Sequence, residues 1–252
     1  MAPRSIWNGT ITFGLVNIPI KLYSATESKT VHFHEVHVRD GAKIEHRRIC
    51  SKEDKEVPYE EVVKGFETKQ DTYVVLDDDE IKAAAGSRGK VIEITEFVDV
   101  DEIDPVFYEK AYFVGSRDEE DAYRLLREAL RKSGRAGIGR FTFHDREYLV
   151  AIRAFEDALA LHTLRFHDEV VGTDDLDLPK PGKAPSKAEI DMAGKLVQSS
   201  EKSFKPADYS DEYREAVLDL IKRKAKGEEI DLVEQEEPEH GDDLMAALKA
   251  SL

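Results

Sequence analysis

Cysteine is almost missing from this chain: Cys50 stands alone among 252 residues. An internal disulfide is therefore excluded, and a reducing compartment such as the cytoplasm is expected. Long apolar runs are missing too. No stretch approaches the roughly 18 consecutive apolar residues of a membrane span, so no membrane partner is expected. Met1 to Trp7 runs straight into alternating sequence with no apolar core, so no secretory leader is expected. Enzyme signatures are missing as well. GSRGK at 86–90 lacks the GxxxxGK[ST] spacing of a phosphate loop, and neither GxSxG nor HExxH occurs. His32, His34, His37 and Cys50 lack the tight ligand pairs of a zinc site, so no metal and no cofactor is expected.

What is present is charge and alternation. Hydrophobic residues make up 40% and charged residues 36%, which describes a folded chain with a heavily solvated surface. The net charge of −16 opposes a polyanionic partner and favours a protein–protein scaffold that binds no nucleic acid. The charge is unevenly spread, however. Residues 122–153 hold eight Arg or Lys against three acids, whereas 227–252 hold nine acids against Lys249 alone. Composition thus permits a basic surface on an acidic protein without requiring one.

The periodicity is mostly that of strands. SIWNGTITFGLVNIPIKLY (5–23) alternates around Gly14 as two strands and a tight turn, with Pro19 marking an edge or bulge. Val31 to Val38 alternates and predicts a further strand. Residues 39–70 are polar and weakly periodic, a long excursion from a compact body. Strands are predicted again at 72–76, 90–98, 106–114, 138–144, 147–154 and 158–166, and the acids from Asp77 to Glu80 open a helix at 79–85. The pattern from Asp118 to Lys132 is helical. At about 100° per residue, Ala122, Leu125, Leu126, Ala129 and Leu130 share one side, opposite Arg124, Arg127, Arg131 and, if the helix extends, Arg135. Eight or nine short strands around one helix predict an α+β, mainly β, barrel. Beyond the Pro- and Gly-rich 172–187, helices are predicted at about 187–200 and 210–226, followed by an acidic linker. GDDLMAALKASL ends the sequence with Leu244, Leu248 and Leu252 at i, i+4, i+8, a peptide suited to a partner's groove.

Taken in order, RSIWNGTITFGLVNIPIKLYSAT (4–26), VPYEEVVKGFE (57–67), ITEFVDVDEIDPVFYEKAYFV (94–114), AYRLLREAL (122–130) and LHTLRFHDEV (161–170) resemble bacterial Ku, the DNA-end-binding family of non-homologous end joining. The helical stretch 189–227, with MAGKLV and YSDEYREAVLDLI, is similar to that family's C-terminal arm. The resemblance implies a Ku-type β-barrel core over 1–180 with a DNA-encircling strap at about 30–70. It further implies a helical arm over 181–227 and an acidic linker and tail over 228–252. Two copies would form a homodimeric ring that threads onto linear double-stranded DNA ends, without catalysis or nucleotide, in the nucleoid-associated cytoplasm. DLMAALKASL resembles the tail that recruits an ATP-dependent DNA ligase–polymerase, which points to Asp243, Leu244, Met245, Leu248 and Leu252. Some members carry a CxxC in the strap; here Cys50 is followed by Glu53, and no zinc is expected. Many bacterial members continue into a Lys-rich extension; this sequence ends at Leu252, a departure that bears on any second, tail-mediated DNA contact or bridging mode.

Sequence-neutral binding needs cations aimed at phosphates and none aimed at base edges. The candidates in the strap are Arg39, Lys43, Arg47, Arg48, Lys52, Lys55 and Lys64; those around the helix and the next strand are Arg124, Arg131, Arg135 and Arg140.

Overall fold

The structure, a computed structural model, describes residues 3–84, 90–118, 120–143, 146–174, 176–179, 182 and 184–228. The chain divides into two units, Met1–Ser28 with Val36–Thr173, and Lys29–Glu35 with Asp174–Leu252.

Seven strands of the first unit close into a barrel: β1 (Trp7–Phe13), β2 (Val16–Ser24), β7 (Val91–Asp99), β8 (Tyr108–Ser116), β9 (Arg135–Phe143), β10 (Arg146–Phe155) and β11 (Ala158–Leu164). Their order is β1-β2-β8-β11-β10-β9-β7, and a parallel pairing of β1 with β7 completes the closure. Closure leaves no free edge and gives each strand one inward face. Ile11, Ile18, Ile20, Ile92, Phe141 and Leu161 occupy it, each fully buried. Trp7 joins them edge-on to Phe141, ring centres 5.5 Å apart. Its indole folds over Gly9, where a Cβ would collide with the ring and with the Lys90 carbonyl, so β1 needs glycine there.

Pro19 has a local explanation. The β2–β8 ladder begins one residue later, at Ile20↔Ser116, so the missing N–H falls where β2 is briefly an edge. The Pro19 carbonyl still accepts from the Arg117 N–H at 3.0 Å.

The helix between β8 and β9 is α2 (Glu120–Ser133). The ends it joins lie at one mouth of the barrel, and α2 packs against β2, β9 and β10 across that mouth. Tyr123, Leu126 and Leu130 form its buried face. The Tyr123 hydroxyl donates to the Val114 carbonyl of β8 (2.6 Å) and accepts from the Leu159 N–H of β11 (2.9 Å). Burial pushes the phenol pKa up, which keeps the proton on the oxygen that must donate it.

Among the described residues between β2 and β7, no strand joins the barrel. Two small hairpins occupy the interval: β3 (Ile49–Cys50) with β4 (Lys55–Glu56), and β5 (Lys64–Lys69) with β6 (Thr72–Leu76). A short helix, α1 (Asp78–Ala84), follows. Asp77 caps it, accepting from the N–H groups of Asp79 and Glu80 at 2.9 and 2.8 Å.

The strand expected at 31–38 is absent. Only an isolated bridge, Val36↔Lys43, forms there, and Phe33, Val36 and Val38 are exposed. Alternation alone makes no strand where no neighbouring edge offers hydrogen bonds. The strand expected at 72–76 exists but pairs outside the barrel. Arg135 does not extend α2. Gly134 turns the chain at φ +65°, and Arg135 starts β9 opposite Asp99.

The second unit carries α3 (Lys187–Ser199) and α4 (Glu212–Ala225). Ser186 and Glu189 form a capping box on α3, and Asp211 caps α4 by accepting from the Arg214 N–H. Neither helix has a buried residue, and Ile190, Val197, Tyr213 and Ile221 are all exposed. Among the described residues, no helix is long and apolar enough to cross a membrane.

Candidate nucleic-acid interface

The excursion between β2 and β7 is built from turns that consume acids and leave cations outward. Around Arg39, Asp40 accepts from the Ala42 N–H at 3.0 Å and contacts His37 Nδ1 at 2.9 Å. Those two bonds, the backbone one foremost, hold the Asp40 carboxyl below its ordinary range. Gly41 completes the turn at φ +71°. Arg39 thus projects from a loop whose neighbouring carboxylate is already engaged.

The β3–β4 hairpin fixes the next group. Its turn is closed by the Asp54 N–H donating to the Cys50 carbonyl at 2.8 Å, with Asp54 at φ +51°. Arg47 bridges the hairpin to Glu56 at 3.1 Å, and the Arg48 guanidinium lies 5.1 Å over the exposed Tyr59 ring. A cation over an aromatic face is held in place while its outer edge stays available to an anion. Lys52 lies in the turn and Lys55 in β4, both exposed. Among the described residues, Arg39, Lys43, Lys52 and Lys55 make no ion pair. Lys64 begins β5 opposite Leu76.

Charge within the excursion is segregated. Residues 39–52 hold five cations against two acids, while 53–71 hold seven acids against three cations. The basic character therefore resides in Arg39, Lys43, Arg47, Arg48 and Lys52. Lys55 and Lys64 stand among carboxylates.

The stripe expected on α2 is largely neutralised by the helix itself. Arg124 bonds Glu120 and Asp121, and Arg131 bonds Glu128 at 2.6 Å. Arg140 pairs with Glu147 at 3.1 Å across β9 and β10. Such exposed pairs add little stability, yet each weakens what a phosphate meets. Arg127, on the same stripe by sequence, is half-buried; it donates to the Asp157 carbonyl at 2.6 Å and anchors α2 to the β10–β11 turn. Arg135 instead rims an apolar groove of ≈ 490 Å³ walled by Phe13, Val16, Phe97, Leu125 and Ala129. Leu125, on the apolar side of α2, is 73% exposed there, because the barrel covers only the Tyr123–Leu126–Leu130 strip.

The sequence expectations leave out Lys222, Arg223, Lys224 and Lys226 at the end of α4, all exposed. Four cations in five residues was the available signal. They also leave out a polar cluster on the barrel. The Arg153 Nε–H donates to His162 Nε2 at 3.2 Å, and Tyr108 meets the same imidazole edge-on at 5.1 Å. Burial first, then Arg153, lowers the His162 pKa and keeps the ring neutral. Among the described residues no group of three His, Cys, Asp or Glu is disposed to hold a metal ion. Asp243, Leu244, Met245, Leu248 and Leu252 lie outside the described residues.

Comparison with known proteins supplies the family. The profile described as Ku70/Ku80 beta-barrel domain matches residues 12–192, which take in all of the barrel but the first residues of β1. A non-homologous end joining protein Ku of Anaeromyxobacter sp. (strain K) is 46% identical over 90% of this chain and 77% of its own length. Non-homologous end joining protein Ku 1 of Geotalea uraniireducens is 38% identical over 99% of this chain and 96% of its own. The Archaeoglobus fulgidus protein Ku is 38% identical over 99% and 98%. On the strength of the closed barrel and this near-complete coverage, the chain belongs to the Ku family.

Proposed function

We propose that this protein binds the ends of double-stranded DNA without reading sequence and acts, without catalysis, in double-strand break repair by non-homologous end joining. The observation that carries this reading is the alignment with relatives named for that process over nearly the whole of both chains. The cations from Arg39 to Lys52 support it: they are exposed, sit on hairpins and turns outside the barrel, and outnumber their neighbouring acids. Arginine and lysine on flexible stems suit phosphate contact without base readout. Arg124, Arg131 and Arg140, and Arg47 within the excursion, are weaker candidates, since a phosphate would have to displace a carboxylate from each.

The ring is a homodimer in this reading. Two helices without a buried residue, and Phe66, Tyr73 and Leu125 exposed on the other unit, support this, as apolar side chains that a second copy would cover. The terminal segment Asp243–Leu252 recruits an ATP-dependent DNA ligase–polymerase, its leucines laid into a groove of that partner.

Competition between linear duplex and the same duplex closed into a covalent minicircle tests the proposal. Linear DNA should win, because a closed ring must thread over an end. Equal affinity for both overturns threading, and a scaffold that binds no DNA would ignore both. Run alongside, a chain lacking 241–252 should bind DNA normally and lose stimulation of the ligase; undiminished ligation would place recruitment elsewhere.

A further inference from the structure

We infer that the C-terminal end of α4 is a second contact for the phosphate backbone of duplex DNA, made by Lys222, Arg223, Lys224 and Lys226. The inference rests on the end-binding reading above and adds to it a contact in a different unit of the chain.

The argument starts from α4 itself. Its first turns are acidic, with Asp211 as cap, then Glu212, Glu215 and Asp219; its last turn and C-cap hold four cations in five positions. One or two cations would complement the helix dipole, whose influence ends within the last turn. The excess is therefore unexplained by helix stability. Asp219 stands three residues before Lys222 and four before Arg223, the spacings at which a helix pairs its own charges. Neither pair forms. Among the described residues, the only ion pair in the cluster joins Arg223 to Glu228 at 3.1 Å. Lys222, Lys224 and Lys226 make none with any described residue, in contrast to Arg124 and Arg131 on α2, which their own helix neutralises.

Geometry favours a polyanion over a single carboxylate. At about 100° per residue, Lys222 and Lys226 share one face while Arg223 and Lys224 fan around the helix end. The four Cα atoms span roughly 6 Å along the axis at 1.5 Å per residue. Duplex DNA presents one charge per roughly 1.7 Å of its axis, so several phosphates lie within reach of such a fan. Three of the four are lysines, mobile point charges that follow a phosphate ridge without fixing a base register.

The test uses the full chain. Wild type is compared with a variant carrying Lys222→Gln, Arg223→Gln, Lys224→Gln and Lys226→Gln, glutamine being about as good a helix former as lysine. Affinity for a blunt linear duplex is measured across a salt series. The logarithmic salt slope should become shallower by about 2 to 4, near 0.9 for each phosphate no longer neutralised, with affinity at low salt down at least tenfold. A variant limited to Lys222→Gln and Lys226→Gln should show about half the change and guards against any loss of helix in the fourfold variant. An unchanged slope and affinity in both variants overturns the inference. So does an altered self-association with unaltered DNA binding, which would assign the cluster to a protein partner. If the wild type binds no duplex at any salt, the end-binding reading itself fails, and that result is distinct from the others.

Discussion

Tyr123→Phe isolates one hydroxyl on which the seating of α2 depends. The side chain is 9% exposed, and its oxygen serves two backbone groups of neighbouring strands, the Val114 carbonyl and the Leu159 N–H. Phenylalanine keeps the ring's packing against Leu126 and Leu130 and removes only the oxygen. A buried N–H left without an acceptor costs about 1 to 3 kcal/mol, and loss of the donor to the carbonyl adds about 1 kcal/mol. The expected loss is therefore about 2 to 4 kcal/mol. For a domain of this size it corresponds to a fall in Tm of roughly 5 to 15 °C. Thermal or urea unfolding followed by far-ultraviolet circular dichroism and by Trp7 emission measures it. Trp7 is the single tryptophan and sits in the same core, so both signals should report one transition. DNA binding at low temperature should be unchanged, because the hydroxyl is buried in the barrel while the cations of the hairpins stand exposed outside it. A variant that unfolds within about 2 °C of wild type would show that the two strand ends do not depend on Tyr123, and the account of α2 as the fixed plug of the barrel mouth would fail.

Gly9→Ala should be more damaging, since its Cβ meets the Trp7 ring and the Lys90 carbonyl at once and the backbone carbonyl cannot yield; a Tm within a few degrees of wild type would contradict that crowding. His162→Gln should flatten the pH dependence of stability. The folded-state pKa of His162 lies below its ordinary value of about 6.5, so its contribution is complete above that pH and is lost as pH falls through the lower folded value. Between about pH 7.5 and 5.5 the urea midpoint should drop more in wild type than in the variant, whose amide oxygen still accepts from Arg153; equal drops would refute the assignment.

The barrel was legible because burial writes a two-residue period into strands with a core on one side. The pairs β1–β2 and β10–β11 come out within about two residues of their sequence ranges, as does α2. The residues 31–38 carry the same period and form no strand, which shows what the period omits: it records two faces, not the presence of a neighbour to bond. The site was harder to read. A cation's position in sequence says nothing of whether a carboxylate reaches it, and here the same helix turns supply both. Glu120 and Glu128 stand at pairing distance from Arg124 and Arg131, a spacing visible in the sequence, and the structure closes both pairs. Gly134 stands where a helix stop is expected after Lys132, and its positive φ puts Arg135 beyond α2. The groove beside Leu125 could not be read at all, because the apolar side of α2 is wider than the strip the barrel covers.

A chain of net charge −16 can hold DNA only if the acids stand farther from the phosphates than the cations do. At 0.1 M salt the field of an exposed charge fades over about 10 Å, so distance of that order suffices. The excursion meets this condition in part: its cations gather in residues 39–52 and most of its acids in 53–71, with Asp40 committed to its turn and Glu56, of the later acids, bonded back to Arg47. The end of α4 gathers its cations less cleanly, since Asp219 stands only about 4.5 Å along the axis before Lys222 and Glu228 already pairs with Arg223. Where cations outnumber the acids beside them, the surface gains local attraction without changing the sign of the whole. The remote acids keep an exacting role, since at low salt, where screening is weak, they oppose phosphate from longer range. Affinity should then rise less steeply on dilution below about 0.05 M than the number of neutralised phosphates alone gives, a curvature that a uniformly basic clamp would not show.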